Sequence, residues 1–452
     1  MRIEKSVLYM RVLLIAFWVR STWSFFSDDM IELMQVVEPA VFLFFDVVII
    51  CMGIALMSRK IDRIFAVVFV AVAYMSSCTL NGLSVPFFIN GLRDFISWLF
   101  VIPIINWFLS DPDRKKMFVP IFDRNLYIFM IVQVPCILFQ FFSYGAGDAV
   151  GGSMGYGYSG VMTTLIFSIS FYLMSKRMDP DRYLASLWEN KILILLLIPT
   201  QLNETKISFV YVILYFLLLL PINRTTFLRL FFAIPVLILL LYVMMVSYVA
   251  STGGDPSQMF SLDYYAEAYL YDEDESVQTY AESLFDKGEE EEEKEDVPRF
   301  SKMLLLSDLS EENPGHSIHG FGVGHFKGGS VMDESEFVLR YRWLFFGTIP
   351  YLFHVWVQLG WIGIVMMSLY LVNLFCTHRR GQKCGYNMHI FMILVFLMLL
   401  VYNDSIRLAV MTIPITYMIL NSWRDADEEE SEEPEDDEQS AVERSDVERV
   451  GS

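Results

Sequence analysis

Five cations stand where a chain rich in apolar runs seldom keeps them: Arg93, Lys206, Arg340, Arg342 and Arg407. Most lie in short polar turns between apolar blocks, in company with carboxylates and amides. Asn90 and Asp94 flank Arg93, Asn203 and Glu204 precede Lys206, and Asn403 and Asp404 precede Arg407. Ionisable groups at the hydrocarbon edge carry an insertion cost, about 2.5–3.5 kcal/mol at the centre of a span and less toward its surface. A whole set of them predicts a ligand that offsets it. Guanidinium forks and ammonium groups bind phosphoryl oxygens strongly, so the matching chemistry is a diphosphate whose lipid part stays in the bilayer. For any one residue the alternative is a helix cap, an interfacial anchor or a local ion pair, as Glu336 and Arg340 could form four residues apart on a helix.

The segment GHSIHGFGVGHF places His316, His319 and His325 among glycines. Histidine can serve as a general base near neutral pH, and glycines let backbone N–H groups approach a phosphate or sugar. A flexible outer loop with surface histidines is the plainer alternative. No strand–helix unit surrounds the glycines, which excludes a dinucleotide fold. His354 falls within an apolar run, where a hydrogen bond to a neighbouring helix is the expected role. Asp28 and Asp29 could hold a metal or sit in a solvated turn. Asp46, a lone acid inside an apolar run, raises the possibility of a transporter.

The elements that must position these residues are transmembrane helices. The chain has 452 residues, 55% hydrophobic and 15% aromatic. Apolar runs recur at 7–19, 36–57, 64–80, 94–110, 125–143, 159–175, 191–202, 206–220, 230–250, 355–376, 389–403 and 407–421. The expected fold is all-α: a polytopic integral membrane helix bundle of about twelve spans with one long extracytoplasmic loop. Its parts are transmembrane helices over 1–250, an acidic, partly disordered and then Gly/His-rich loop over 251–342, further helices over 343–423, and a disordered acidic tail over 424–452. Basic clusters at Arg59/Lys60/Arg63, Arg114/Lys115/Lys116, Lys176/Arg177/Arg182, Arg224/Arg229 and Arg379/Arg380/Lys383 fall on one side of that bundle. The positive-inside tendency makes that side cytoplasmic, together with both termini.

The formal net charge of −20 is concentrated in the loop and the tail. With no basic stripe to neutralise phosphates along a duplex, a nucleic-acid partner is disfavoured. Five scattered cysteines, none in the long loop and none in a CxxC, argue against a disulfide framework or a structural zinc site.

Three stretches carry a resemblance: DAVGGSMGYGYSGVMTTLIFSISFYLM, LLIPTQLNETKISFVYVILYFLLLL, and the run from GFGVGHF through ESEF to QLGWIGIVMMSLYL. In order, and in the long outer loop between the last two, the chain resembles the O-antigen and exopolysaccharide polymerases. The related O-antigen ligases carry a histidine followed by a small polar residue about eleven positions before a Gly-x-x-Gly. Here Gly360 to Gly363 supplies the glycines, and Ile349 stands at the upstream place, which argues against a ligase. The resemblance implies polymerisation of undecaprenyl-diphosphate-linked repeat units on the outer face of a bacterial cytoplasmic membrane. Arg340, Arg342, Lys206 and Arg407, with Arg93, would hold the diphosphate, and Glu204 and Asp404 would orient the cations. Glu336 is then the expected base, with His319 and His325 behind it. No cofactor or metal is implied, since fixed cations can take the metal's place. The implied partners are the lipid-linked oligosaccharide, membrane lipid and a chain-length regulator.

Overall fold

A computed structural model describes residues 2–29, 32–145, 147, 149–179, 182–203, 207–219, 302, 309, 313–325, 349–377, 388–401 and 405–429. Among them all regular structure is helical. The N-terminal part holds α1 (Arg2–Asp29), α2 (Glu32–Leu56), α3 (Lys60–Tyr74), α4 (Val85–Leu92), α5 (Ile102–Leu109) and α6 (Pro112–Tyr144). It continues with α7 (Ser159–Ser175), α8 (Tyr183–Glu189), α9 (Lys191–Leu195) and α10 (Ile207–Leu219). A single turn, α11 (His316–His319), precedes α12 (Tyr351–Thr377), α13 (Met388–Val401) and α14 (Ala409–Glu429).

Four stretches are long and apolar enough to cross a membrane: Leu33–Leu56, Lys60–Leu80, Pro112–Tyr144 and Tyr351–Val372. Two bent pairs raise the number to six if each is one span. Val85–Phe95 meets Trp98–Leu109 at 60°, and Tyr183–Glu189 meets Lys191–Asn203 at 69°. These helices suggest a multi-pass membrane protein. The expected count of about twelve exceeds them, and the run at 230–250 lies outside the described residues. Large apolar side chains cover outward faces, among them Val36 and Phe44 on α2, Val67 on α3, Phe142 on α6 and Leu369 on α12. Such faces suit lipid rather than water.

The core forms around α7, which is buried on every side from Val161 to Met174. A helix apolar all round belongs in an interior. Its polar groups are satisfied inside the bundle: Ser170 Oγ lies 2.9 Å from the Tyr215 hydroxyl, Ser168 Oγ donates to Thr164 O at 2.7 Å, and Asn203 Nδ2 donates to Thr163 Oγ1 at 2.6 Å. The bonds to Tyr215 and Asn203 join α7 to its neighbours where the hydrophobic effect cannot, while the Ser168 bond stays within the helix.

Two polar layers mark the ends of the helices. In one, Tyr417 donates to Asp123 Oδ1 at 2.6 Å and Lys176 approaches Asp123 Oδ2 at 3.3 Å. Tyr370 similarly donates to Asp62, which pairs with Arg59 at 3.1 Å. Arg59 and Lys176, from two of the basic clusters, are thus each held by a carboxylate that also accepts from a tyrosine, Tyr370 for Asp62 and Tyr417 for Asp123. The other layer takes residues from elsewhere in the bundle: on α12, His354 precedes the break at Gly360 and Tyr370 follows it. That second layer holds the candidate site.

Candidate functional site

The α4–α5 pair bends at a tight turn, Arg93–Phe95, that follows α4, so two adjacent charged residues leave the helix in different directions. Asp94 is buried at 6% exposure. Its Oδ1 faces Arg407 Nη1 at 3.8 Å and its Oδ2 faces His354 Nε2 at 3.3 Å. Arg93 turns the other way. Its Nε donates to Asp46 Oδ2 at 2.8 Å, its Nη2 lies 2.8 Å from the same oxygen, and Arg20 engages Asp46 Oδ1. Residues from α1, α2, the α4–α5 bend, α12 and the turn before α14 therefore join in one buried charge network. The side chains of Arg93 and Arg407 stay 33% and 35% exposed, while those of the two acids are 7% exposed. The cations face outward and the carboxylates hold them from behind.

His354 is fixed from two directions. Gln358, one turn on, presents its amide nitrogen to Nε2 at 2.5 Å, while its Oε1 accepts from the Gly324 N–H at 3.3 Å. Because Oε1 is engaged as the acceptor, the amide nitrogen is the donor and Nε2 the acceptor. Tyr351 stacks on the ring at 6.1 Å, and Trp98 stacks on Tyr351 at 5.9 Å.

Gly360 breaks α12, with φ 61° and ψ −157°. The break frees carbonyls that a continuous helix would use, and 313–325 supplies their donors. Phe321 N–H donates to Val357 O at 2.8 Å and Gly322 N–H to Gln358 O at 3.0 Å. Gly360 packs directly on Ile318 O, and Gly320 on the Gln358–Leu359 peptide, so a side chain at either would strike backbone. The other side of the segment is held by a wide π-helical turn, Met75–Leu80, that extends α3. Ser76 Oγ donates to His319 O at 2.6 Å, Ser77 Oγ to Val323 O at 3.1 Å, and Asn81 Nδ2 to Gly320 O at 3.1 Å. The glycine-rich loop after α6 is pinned in the same manner, with Gln140 and Gln133 bridging Gly152 and Ser153 at 2.7–3.1 Å.

Of the sequence-predicted site residues, the structure sets Arg93 on Asp46 and Arg407 on Asp94, the chain neighbour of Arg93. His319 is half-buried, and its Nδ1 lies 2.8 Å from Gly320 O; a proton there leaves Nε2 as the acceptor. His325 is also half-buried, and burial, with His316 adding a smaller effect, pushes its imidazolium down to about 4, which makes it a weak base at neutral pH. Glu336, Arg340, Arg342, Lys206, Glu204 and Asp404 lie outside the described residues. Sequence reasoning left Arg20 out and set Asp46 apart as a lone acid; the structure gives that acid two arginines. The hydrogen bond to the His354 ring described above comes from Gln358 on its own helix, not from a neighbouring one, and the group it faces across the bundle is the acid Asp94. Asp28 accepts from the Tyr156 N–H at 3.2 Å. Among the described residues, no group of three histidine, cysteine or carboxylate side chains is placed to hold a metal. No protein-family model matches the chain, and no curated protein matches it in sequence.

Proposed function

We propose that the protein is a membrane glycosyltransferase that lengthens a glycan by joining oligosaccharide units carried on a polyprenyl diphosphate. What carries the reading is a pair of cations, Arg93 and Arg407, each about one-third exposed and each backed by its own buried carboxylate, Asp46 and Asp94, with His354 beside the second. In this reading an acceptor hydroxyl attacks the anomeric carbon of the donor, the carbon–oxygen bond to diphosphate breaks, and the lipid diphosphate leaves. The leaving group is already activated, so the protein needs only to stabilise its developing charge and to take up the hydroxyl proton. Arg93 and Arg407, with Lys206, Arg340 and Arg342, serve the first need. His319 and Glu336 serve the second, ahead of His325. Asp94 and His354 orient the cations. The proposed setting is the outer face of a bacterial cytoplasmic membrane, in a bundle of about twelve spans.

The test is incubation of purified protein with a synthetic lipid-diphosphate repeat unit, reading product length on a gel. Arg407→Ala and Arg93→Ala are each expected to lower chain growth about 100-fold, within the range for loss of one charge-stabilising donor, and to leave single units on the carrier. Normal long chains from both variants would remove those roles. A ligase would instead leave finished polymer on its carrier until a different acceptor is added. The breaks at the α4–α5 bend and at Gly360 favour one other reading, a transporter, since discontinuous helices commonly line transport sites. Counterflow of a solute in reconstituted vesicles would support it.

A further inference from the structure

Asp46 is shared by two arginines, and the two are held differently. Arg20 is anchored: its side chain is 11% exposed, it donates to Phe42 O at 3.0 Å, and its guanidinium lies 5.1 Å from the Phe42 ring centroid. Arg93 is one-third exposed, and besides Asp46 it has a 3.4 Å contact to Asn90. Removing one partner of a buried ion pair strands a charge, which is strongly destabilising. With two arginines on Asp46, the outer one can leave and the carboxylate still keeps a partner.

We propose that Arg93 is a two-position cation, resting on Asp46 and moving to the phosphoryl oxygens of a prenyl diphosphate when that headgroup arrives, while Arg20 stays behind as the counter-ion of Asp46. Arg20 is then a positioning residue that never touches the ligand. This rests on the diphosphate reading above and assigns its first contact. The second charge node, Asp94 with Arg407, begins at the next residue in sequence.

The roles make opposite demands on Arg20 and Asp46. Binding of farnesyl diphosphate to the full-length protein in detergent is the readout, with farnesol as the uncharged control. Asp46→Asn frees Arg93 and is expected to tighten binding about tenfold. Arg20→Gln leaves Arg93 as the partner of Asp46 and weakens binding by a similar factor. The double variant Arg20→Gln/Asp46→Asn restores wild-type affinity or better. Arg182→Gln, on an exposed ion pair with Glu189, changes nothing. A double variant as weak as Arg20→Gln would mean that Arg20 touches the ligand and would overturn the proposal. Unchanged or weaker binding by Asp46→Asn overturns it too, and either single variant decides alone if the other does not accumulate. The same shifts with inorganic pyrophosphate alone keep the switch and make its ligand a water-borne anion. If binding shifts as stated but the wild type builds no chains, the switch stands and the polymerase reading falls. If chains grow and binding does not move, the reverse holds.

Discussion

At the scale of single residues, the site is a problem of charges that must be kept apart from water and yet usable. Asp94 meets it by facing His354 and Arg407 with its two oxygens. Asp94→Asn removes the charge that holds Arg407, and breaking a buried pair by deleting one partner costs about 3–5 kcal/mol before any discount for the exposed Arg407. The expected outcome is an apparent melting temperature in detergent several degrees below wild type, with chain growth reduced at least tenfold; an unchanged melt would show that Asp94 carries no such load. The sequence marked Arg93 and Arg407 as candidates because a whole set of cations in the polar turns of an apolar chain is unusual, although a cap, an anchor or a local ion pair was the alternative for each one. The Arg20–Asp46 pair was not, since its members lie on different helices and nothing in their local spacing links them. Pairing across a bundle depends on helix rotation, which an almost uniformly apolar sequence encodes weakly.

At the scale of elements, the decisive feature is that 313–325 docks into a helix broken at Gly360. Gly360→Ala puts a methyl against Ile318 O and forces a left-handed backbone on alanine, a strain of order 1–3 kcal/mol. It should lower the melting temperature and raise amide exchange at Phe321 and Gly322, whose N–H groups occupy the freed carbonyls; Gly315→Ala, where φ is −67° and an added methyl meets nothing within 4 Å, is the comparison. The same docking gives a pH dependence. Burial favours the neutral imidazole of His325 in the folded chain, with a value of about 4, whereas the unfolded residue keeps one near 6.5. Between the two the unfolded state binds more protons, so the stability contributed here is complete above about pH 6.5 and fades as the pH falls toward 4. His316 shifts in the same direction. Protection from hydrogen exchange across 316–325, taken relative to the intrinsic rate at each pH, should therefore fall as the pH drops through that window in the wild type and much less in His325→Gln. Sequence pattern marked this stretch only as irregular and glycine-rich. Its partners are backbone carbonyls, released by one glycine in a run that otherwise reads as continuous helix, and side-chain patterning says nothing about them.

At the scale of the whole molecule, the run of apolar blocks made the helical bundle plain, and most of the expected runs in the described regions correspond to helices. The run at 191–202 is not one continuous α-helix: α9 ends at Leu195, a tighter 3-10 turn covers Ile198–Asn203, and the whole arm meets α8 at 69°, beside the Trp188–Lys191 contact at 4.3 Å. Helix length in an apolar sequence is easily overcounted, because composition alone does not register a bend. The two polar layers carry a prediction about orientation. If the Arg59 and Lys176 layer faces the cytoplasm, a cysteine at Ser110 reacts with a membrane-impermeant thiol reagent only after permeabilisation, and one at Tyr156 reacts in intact cells. The opposite pattern would invert the bundle and move the proposed chemistry to the other face.

The contact from Ser76 to His319 spans 243 positions along the chain. At a synthesis rate of about 5–20 residues per second, roughly 12–50 s pass between the emergence of the two partners from the ribosome. During that interval the hydroxyls near the end of α3 have left the translocon without their eventual acceptors. Ser77 Oγ can meanwhile bond Ala73 O, and Asn81 Nδ2 can bond Ser76 O, both within its own hairpin. The widened turn thus acts as a waiting room for early-made polar groups, and the order of biogenesis, as much as the finished packing, gives that turn a reason to exist.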